Sequence, residues 1–218
     1  MGPDRLFTQA DLDAIQTAVR EAEERTSGEI VPYAVDRSDE YATAAWKGAA
    51  LGALLGPMVA LAIHRWSDLW GIPLAVWMAV PAPLGGALGY LLADLLRPVK
   101  RWMVGAAVLD VRTRRRAAVA FLDQEVFNTR DRTGILLFLS LFERRVVLLA
   151  DAGIHQKVKE GEWEAITSRL AAGIRQARPG PALVEAIRAC GELLERHQVE
   201  RRPDDRDELA NELRRSKE

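Results

Sequence analysis

GAALGALLGPMVALAI at residues 48–63 and LWGIPLAVWMAVPAPLGGALGYLLA at residues 69–93 are two uncharged apolar runs, parted only by His64-Arg65-Trp66-Ser67-Asp68. A hydrocarbon core about 30 Å thick needs roughly 20 helical residues. Both runs reach that length once the first helix starts near Ala42. This leaves Lys47 about one and a half turns inside, with a stem long enough to snorkel toward the headgroups. The second run holds Pro73, Pro81 and Pro83, which kink a helix but are tolerated in membranes when neighbouring groups satisfy the freed carbonyls. Trp46, Trp66, Trp70, Trp77 and Trp102 lie mostly toward the ends of the runs, as interface anchors do. The pattern predicts a transmembrane helical hairpin at 42–96. Two buried core helices are the alternative, but helices apolar on all faces need a large domain around them, and the rest of the chain is small.

The remainder is charged. Lys and Arg number 30 against 31 Asp and Glu, a balance that gives no general attraction to nucleic acid. Without the hairpin roughly 165 residues remain, enough for one domain. Cys190 is the only cysteine, so no intramolecular disulfide forms and a reducing compartment is compatible. Met1-Gly2-Pro3-Asp4-Arg5 leads into a polar helical stretch, and no secretory signal is expected. The connector between the runs holds only Arg65, whereas Arg37, Lys47, Arg97, Lys100 and Arg101 flank the outer ends. The positive-inside rule then predicts a two-pass protein of the cell membrane with both termini cytoplasmic.

Around the hairpin the elements follow in order. Thr8-Gln9-Ala10-Asp11 reads as a capping box opening a helix with Leu12, Ile15, Val19 and Ala22 on one face. Residues 29–35 read as a strand, with Pro32 pointing to an edge or a bulge. After the hairpin a helix runs to about Phe127 with Val111, Ala118, Phe121, Leu122 and Val126 as its apolar stripe. Residues 134–141 and 145–150 read as a β-hairpin buried on both faces. Two helices follow, the first with Trp163, Ile166, Leu170 and Ile174 on one face, the second with Leu183, Ile187, Cys190 and Leu194. The charged stretch 198–218 reads as a mobile tail holding at most one short helix around Leu209 and Leu213. The expected fold is a small α/β sandwich: a three- or four-stranded mixed sheet covered by helices, built from 1–41 and 97–197 as one domain.

Four blocks carry a resemblance. Thr26-Ser27-Gly28-Glu29-Ile30-Val31, Asn128-Thr129-Arg130-Asp131-Arg132-Thr133-Gly134-Ile135-Leu136, Glu143-Arg144-Arg145-Val146 and Ala150-Asp151-Ala152-Gly153-Ile154 resemble the successive blocks of the TPM domain family. The chain is most similar to its prokaryotic branch, which carries a membrane hairpin inside the domain. The resemblance implies an α/β sandwich, bound calcium in some members, and roles ranging from photosystem repair and receptor accessory function to weak acid phosphatase activity.

Candidate sites follow from where strand ends converge. Glu29 opens the first strand, Asn128, Arg130 and Asp131 precede the second, and Asp151 follows the third. A hard cation such as calcium takes six to eight oxygens, and Asp131 and Asp151 are the candidate metal ligands, with Asn128 and Glu29 beside them. Arg130 or Arg132 would instead orient a phosphate. The alternative is a loop organised by ion pairs and turns. Residues 128–134 hold too little glycine for a phosphate-cradling loop. His64, His155 and His197 are scattered, which argues against zinc. Arg112, Arg114, Arg115 and Arg116 form a basic cluster after the second run, read as attraction to anionic lipid or as a solvated helix face. Gly48, Gly52 and Gly56, and Gly85 and Gly89, repeat every four residues, a spacing for close helix approach within the hairpin or between copies in a homo-oligomer. The expected function is a cytoplasm-facing accessory or binding module for another membrane protein, and the rival is a weak, metal-assisted acid phosphatase.

Overall fold

Thr8 starts the first helix, and it does so with both halves of a capping box. In the computed structural model, which describes residues 6–66, 73–199 and 209–216, Thr8 Oγ1 accepts from Asp11 N–H at 3.2 Å while Asp11 Oδ2 accepts from Thr8 N–H at 2.9 Å. Two orphan donors of the first turn are thereby satisfied. The helix α1 (Gln9–Glu23) buries Ile15, Val19 and Ala22 completely.

Strand β1 (Glu29–Val35) pairs in parallel with β2 (Gly134–Ser140) at seven positions, from Glu29 opposite Gly134 to Val35 opposite Ser140. β2 turns back into β3 (Arg145–Ala150), antiparallel, with Ile135 opposite Ala150. Between β1 and β2 the chain makes α2 (Ala42–Trp66), α3 (Leu74–Ala79), α4 (Pro81–Leu95), α5 (Arg97–Val104) and α6 (Ala106–Asp123). After β3 come α7 (Ala152–His155), α8 (Glu160–Arg175) and α9 (Pro179–Arg196). A short β4 (Arg214–Ser216) completes a four-stranded mixed sheet of order β3-β2-β1-β4.

Alternation along the strands sends residues to two faces. Ile30, Ala34, Ile135, Leu137 and Leu139 pack with apolar residues of α1, α8 and α9. Val31, Val35, Leu136 and Phe138 pack with Ala117 and Ala120 of α6 and with Val126. Full burial of such side chains is worth about 1.5–3 kcal/mol each, so the covered central strands dominate stability. β2 is buried throughout, whereas the edge strand β3 is largely half-exposed, which corrects the expectation of burial on both faces there.

Three further expectations change. The C-terminal residues are not all tail: Arg214–Ser216 pair in parallel with Tyr33–Val35, and Leu213 is 8% exposed within the core. Residues 200–208 lie outside the described residues, as do Ser67 and Asp68 of the connector and Trp70. Polar composition hid the strand, because only Leu209 and Leu213 in that stretch have a core to join. Pro32 sits in an internal strand, yet the edge reading holds locally. Glu29 N–H points to β2, where it reaches Thr133 O at 3.1 Å, so alternation turns position 32 away from β2, and the β4 ladder begins only at Tyr33. On α6 the inward face is Thr113, Ala117 and Ala120, while Val111, Ala118 and Leu122, expected in the core, are exposed. Two apolar stripes compete on that helix, and the small-residue one packs against the sheet.

The chain divides into two units, Met1–Asp39 with Asp110–Glu218, and Glu40–Leu109. The second unit contains α5 with the hairpin, so its boundary lies beyond the expected residue 96. It holds two helices long and apolar enough to cross a membrane, Ala42–Trp66 and Ala75–Leu95, with mean hydropathy 1.5 and 1.4. Only 11% and 0% of their most apolar windows are buried, so they are not core helices of this chain. The second is interrupted at Val80, just before Pro81, the position where proline removes a helical donor. Gly48, Gly52 and Gly56 face Gly89, Gly85 and Pro81: a Cβ at any of them would collide with the opposing carbonyl oxygen. The glycine repeat therefore serves the close contact of α2 with α4, the within-hairpin role that its spacing suggested.

Leu213→Ala is expected to cost about 2 kcal/mol, and deletion of 209–218 more, seen as lower thermal midpoints of the detergent-solubilised protein. A truncated chain melting with its parent would mean that β4 contributes no stability.

Candidate functional site

One end of the sheet gathers the N-terminus of β1, the N-terminus of β2 and the C-terminus of β3. The strand register brings Glu29, Gly134 and Asp151 together, with Asp151 N–H bonding Gly134 O at 2.9 Å. The convergence expected from the sequence is present in the backbone. What the side chains do there differs from the expectation.

Asp151 is 6% exposed and spends its carboxylate on a neighbouring arginine. Arg132 Nε donates to Oδ2 at 2.6 Å and Arg132 Nη2 to Oδ1 at 3.0 Å, a two-pronged charge-assisted pair. Asp151 Oδ1 also accepts from Ala152 N–H at 2.7 Å and so caps α7. The hydrogen bonds that Arg132 donates to Asp151, reinforced by the carboxylate charge, raise the guanidinium pKa above its ordinary value. Arg132 also lies over the Phe127 ring, 5.9 Å from its centroid. Its backbone is left-handed, φ 58°, and its carbonyl accepts from Gly153 N–H at 3.0 Å. Gly153 is required there, because a Cβ would strike the carbonyl oxygens of Asp131 and Arg132.

Glu29 is 7% exposed, and its Oε2 accepts from Leu209 N–H at 3.4 Å, tying the approach to β4 to the start of β1. Asn128, Arg130 and Asp131 are exposed on the loop before β2. That loop is fixed by two threonines the sequence reading passed over. Thr129 Oγ1 accepts from Thr133 N–H at 2.9 Å, and Thr133 Oγ1 donates to Ser27 O at 2.6 Å. Glu23 was also missed: buried, it accepts from Ile30 N–H at 3.0 Å. Its signal was available, since Glu23 lies four residues after Val19, on the buried stripe of α1, where a carboxylate needs a reason.

The cation reading of Asp131 and Asp151 meets a guanidinium on the better-buried of the two carboxylates. Among the described residues no group of three or more His, Cys, Asp or Glu is placed to hold a metal ion. The histidines stay apart: the His64 ring is 5.3 Å from that of Trp77, His155 is exposed, and His197 Nε2 is 2.9 Å from Glu162 Oε1. The His197 hydrogen bond holds the Glu162 carboxyl below its ordinary range.

The basic cluster on α6 is largely paired. Arg112 meets Asp39 at 3.2 Å, Arg114 meets Asp110 at 3.2 Å and Arg116 meets Asp123 at 3.8 Å. These acids offset most of the positive field that the four arginines would project toward an anionic lipid. Sequence proximity showed Asp110 and Asp123 but not Asp39, which the fold brings from the other side of the hairpin.

Asp151→Asn keeps an oxygen for Ala152 N–H but loses the charge facing Arg132, and Asp151→Ala loses both. The expected stability order is parent, Asn, Ala, with the cap alone worth about 1 kcal/mol. Equal melting of all three would show that this pair does not hold the loop. Cys190 is fully buried, and burial pushes its thiol pKa up to about 12. Maleimide is therefore expected to leave the native protein unlabelled at pH 8 and to label it after denaturation.

No protein-family model matches the chain, and no curated protein matches it. Among solved structures it is similar to the NMR structure of the BA42 protein from the psychrophilic bacterium Bizionia argentinensis, with TM-score 0.59 and 18% identity over 96% of this chain and 95% of that one, a likeness of fold alone.

Proposed function

We propose that this chain is a membrane-anchored, TPM-like accessory module whose α/β unit faces the cytoplasm and binds another membrane protein or assembly. One observation carries the reading: α6 turns Val111, Ala118, Val119 and Leu122 outward, with Val111 64% and Leu122 61% exposed. An apolar face of this kind on a domain surface marks a contact site. Three of the four arginines of this helix, Arg112, Arg114 and Arg116, are already paired with acids, which favours a protein surface over bare electrostatic attraction to lipid. The cytoplasmic orientation is supported by Lys47, Arg97, Lys100 and Arg101 at the outer ends of the spans, against Arg65 at the connector.

Catalysis at the sheet end is disfavoured by the Arg132 fork on Asp151, which ties up the carboxylate a metal or a general base would need. The purified protein is expected to release no phosphate from generic esters. Release that disappears in Asp131→Ala would reinstate the phosphatase.

A photo-crosslinking residue at Leu122 is expected to trap one defined protein in native membranes, and Leu122→Asp to abolish its co-purification. Adducts with lipid alone would sink the accessory reading. Orientation is checked separately with Arg65→Cys. Because Cys190 is silent, maleimide applied to intact cells should label only the introduced thiol; labelling that requires lysis would invert the topology.

A further inference from the structure

The tight contact of α2 with α4 leaves a groove along the hairpin. Its walls are Leu51, Leu55, Leu84 and Leu88, and Val99 and Met103 of α5 line it together with the hairpin. The groove measures about 560 Å³, and no charged residue lines it. That size is ordinary for a small-molecule site, where ~300–1,000 Å³ is usual. Along α2 it reaches from Gly48 to Val59, about three turns or ~16 Å. Half of a ~30 Å hydrocarbon core is about 15 Å, so the groove is as long as one leaflet is deep.

The Gly48 end is marked as the interfacial end. Trp46 and Trp102, next in sequence to Lys47 and Met103, are 69% and 72% exposed, as belt tryptophans are. Lys47 Nζ donates to the carbonyl of the groove-lining Met103 at 3.2 Å, and among the described residues this is its one partner. The neighbouring Lys100, by contrast, is spent on Asp94 at 3.0 Å. An ammonium held at the mouth of an apolar groove, with a carbonyl but no carboxylate beside it, calls for an anion.

The geometry points to a phospholipid site, with one acyl chain lying in the groove and an anionic headgroup phosphate at Lys47 Nζ. A helix from a second copy fits less well: at ~10 Å across it is broad for a cleft formed between two touching helices, and the acid that α4 carries at that end, Asp94, is already held by Lys100. An anionic lipid brings both chain and anion at the right depth. The site lies wholly within the hairpin unit and rests on the reading of that unit as membrane-spanning.

The test uses the full chain in mild detergent, incubated with equal amounts of phosphatidylglycerol and phosphatidylcholine of identical acyl chains and read by native mass spectrometry. Retention of phosphatidylglycerol should exceed that of phosphatidylcholine about fivefold, the effect of one basic residue at an anionic surface. Lys47→Gln should remove the preference while leaving chain binding. Leu88→Trp and Leu55→Trp, filling the groove from opposite walls, should each lose both lipids. Equal retention by the parent, an undiminished preference in Lys47→Gln, or full retention in both tryptophan variants would overturn the site. So would efficient cross-linking of Leu88→Cys between copies in vesicles, which would give the groove to a second protomer. Flotation with vesicles tests the span separately: a chain that fails to float loses the membrane reading itself, whereas one that floats without lipid preference loses only this site.

Discussion

The parallel ladder of β1 with β2 is the contact on which the rest of the domain rests. Its seven residue pairs join stretches of chain separated by the whole hairpin, and both layers of helices pack against the strands it joins. Parallel neighbours cannot be linked by a tight turn, because the chain must return to the starting end of the sheet. In this protein α6 makes that return and covers one face as it does so, and the hairpin precedes it within the same connection. Closure entropy grows slowly with loop length, about 0.6 kcal/mol per doubling, so a connection already long tolerates the insertion. An insertion within the β2–β3 turn would instead have disturbed the antiparallel register at Ser140 and Arg145.

Strong periodicity made most of this architecture legible. The long apolar runs, the capping box at Thr8 and the short apolar run of β2 each impose a local pattern that tertiary packing leaves intact. Legibility failed where two patterns compete or none is present. α6 carries a bulky stripe through Val111 and Leu122 and a small stripe through Ala117 and Ala120, and close packing against the sheet selects the small one. β4 has three polar residues and becomes a strand only because β1 offers an edge beside it.

The sheet end was legible as a place and not as a chemistry. Glu29, Asp131 and Asp151 were visible as carboxylates near strand ends, but a sequence does not show which cation a carboxylate will meet. Asp151 meets Arg132, two residues before β2 begins, through a left-handed loop whose geometry depends on Thr129, Thr133 and Gly153. The result is a carboxylate held in a two-pronged pair with a guanidinium. In the hairpin the reverse occurs: the glycine repeat read as a motif is consumed in packing, and the concavity beside it carries the chemical interest.

The separation of β1 from β2 also acts during synthesis. At about 5–20 residues per second, the roughly hundred residues between the strands take on the order of 5–20 s to emerge. For that interval Ile30, Val31, Tyr33 and Val35 have no strand to pair with, while two helices long and apolar enough to cross a membrane are still being made. α1, which is made before β1 and packs on the same strand, is a native partner on hand to shield part of it. The order of translation thus asks the amino-terminal helix to act as a temporary cover for a strand whose own sheet has yet to be made.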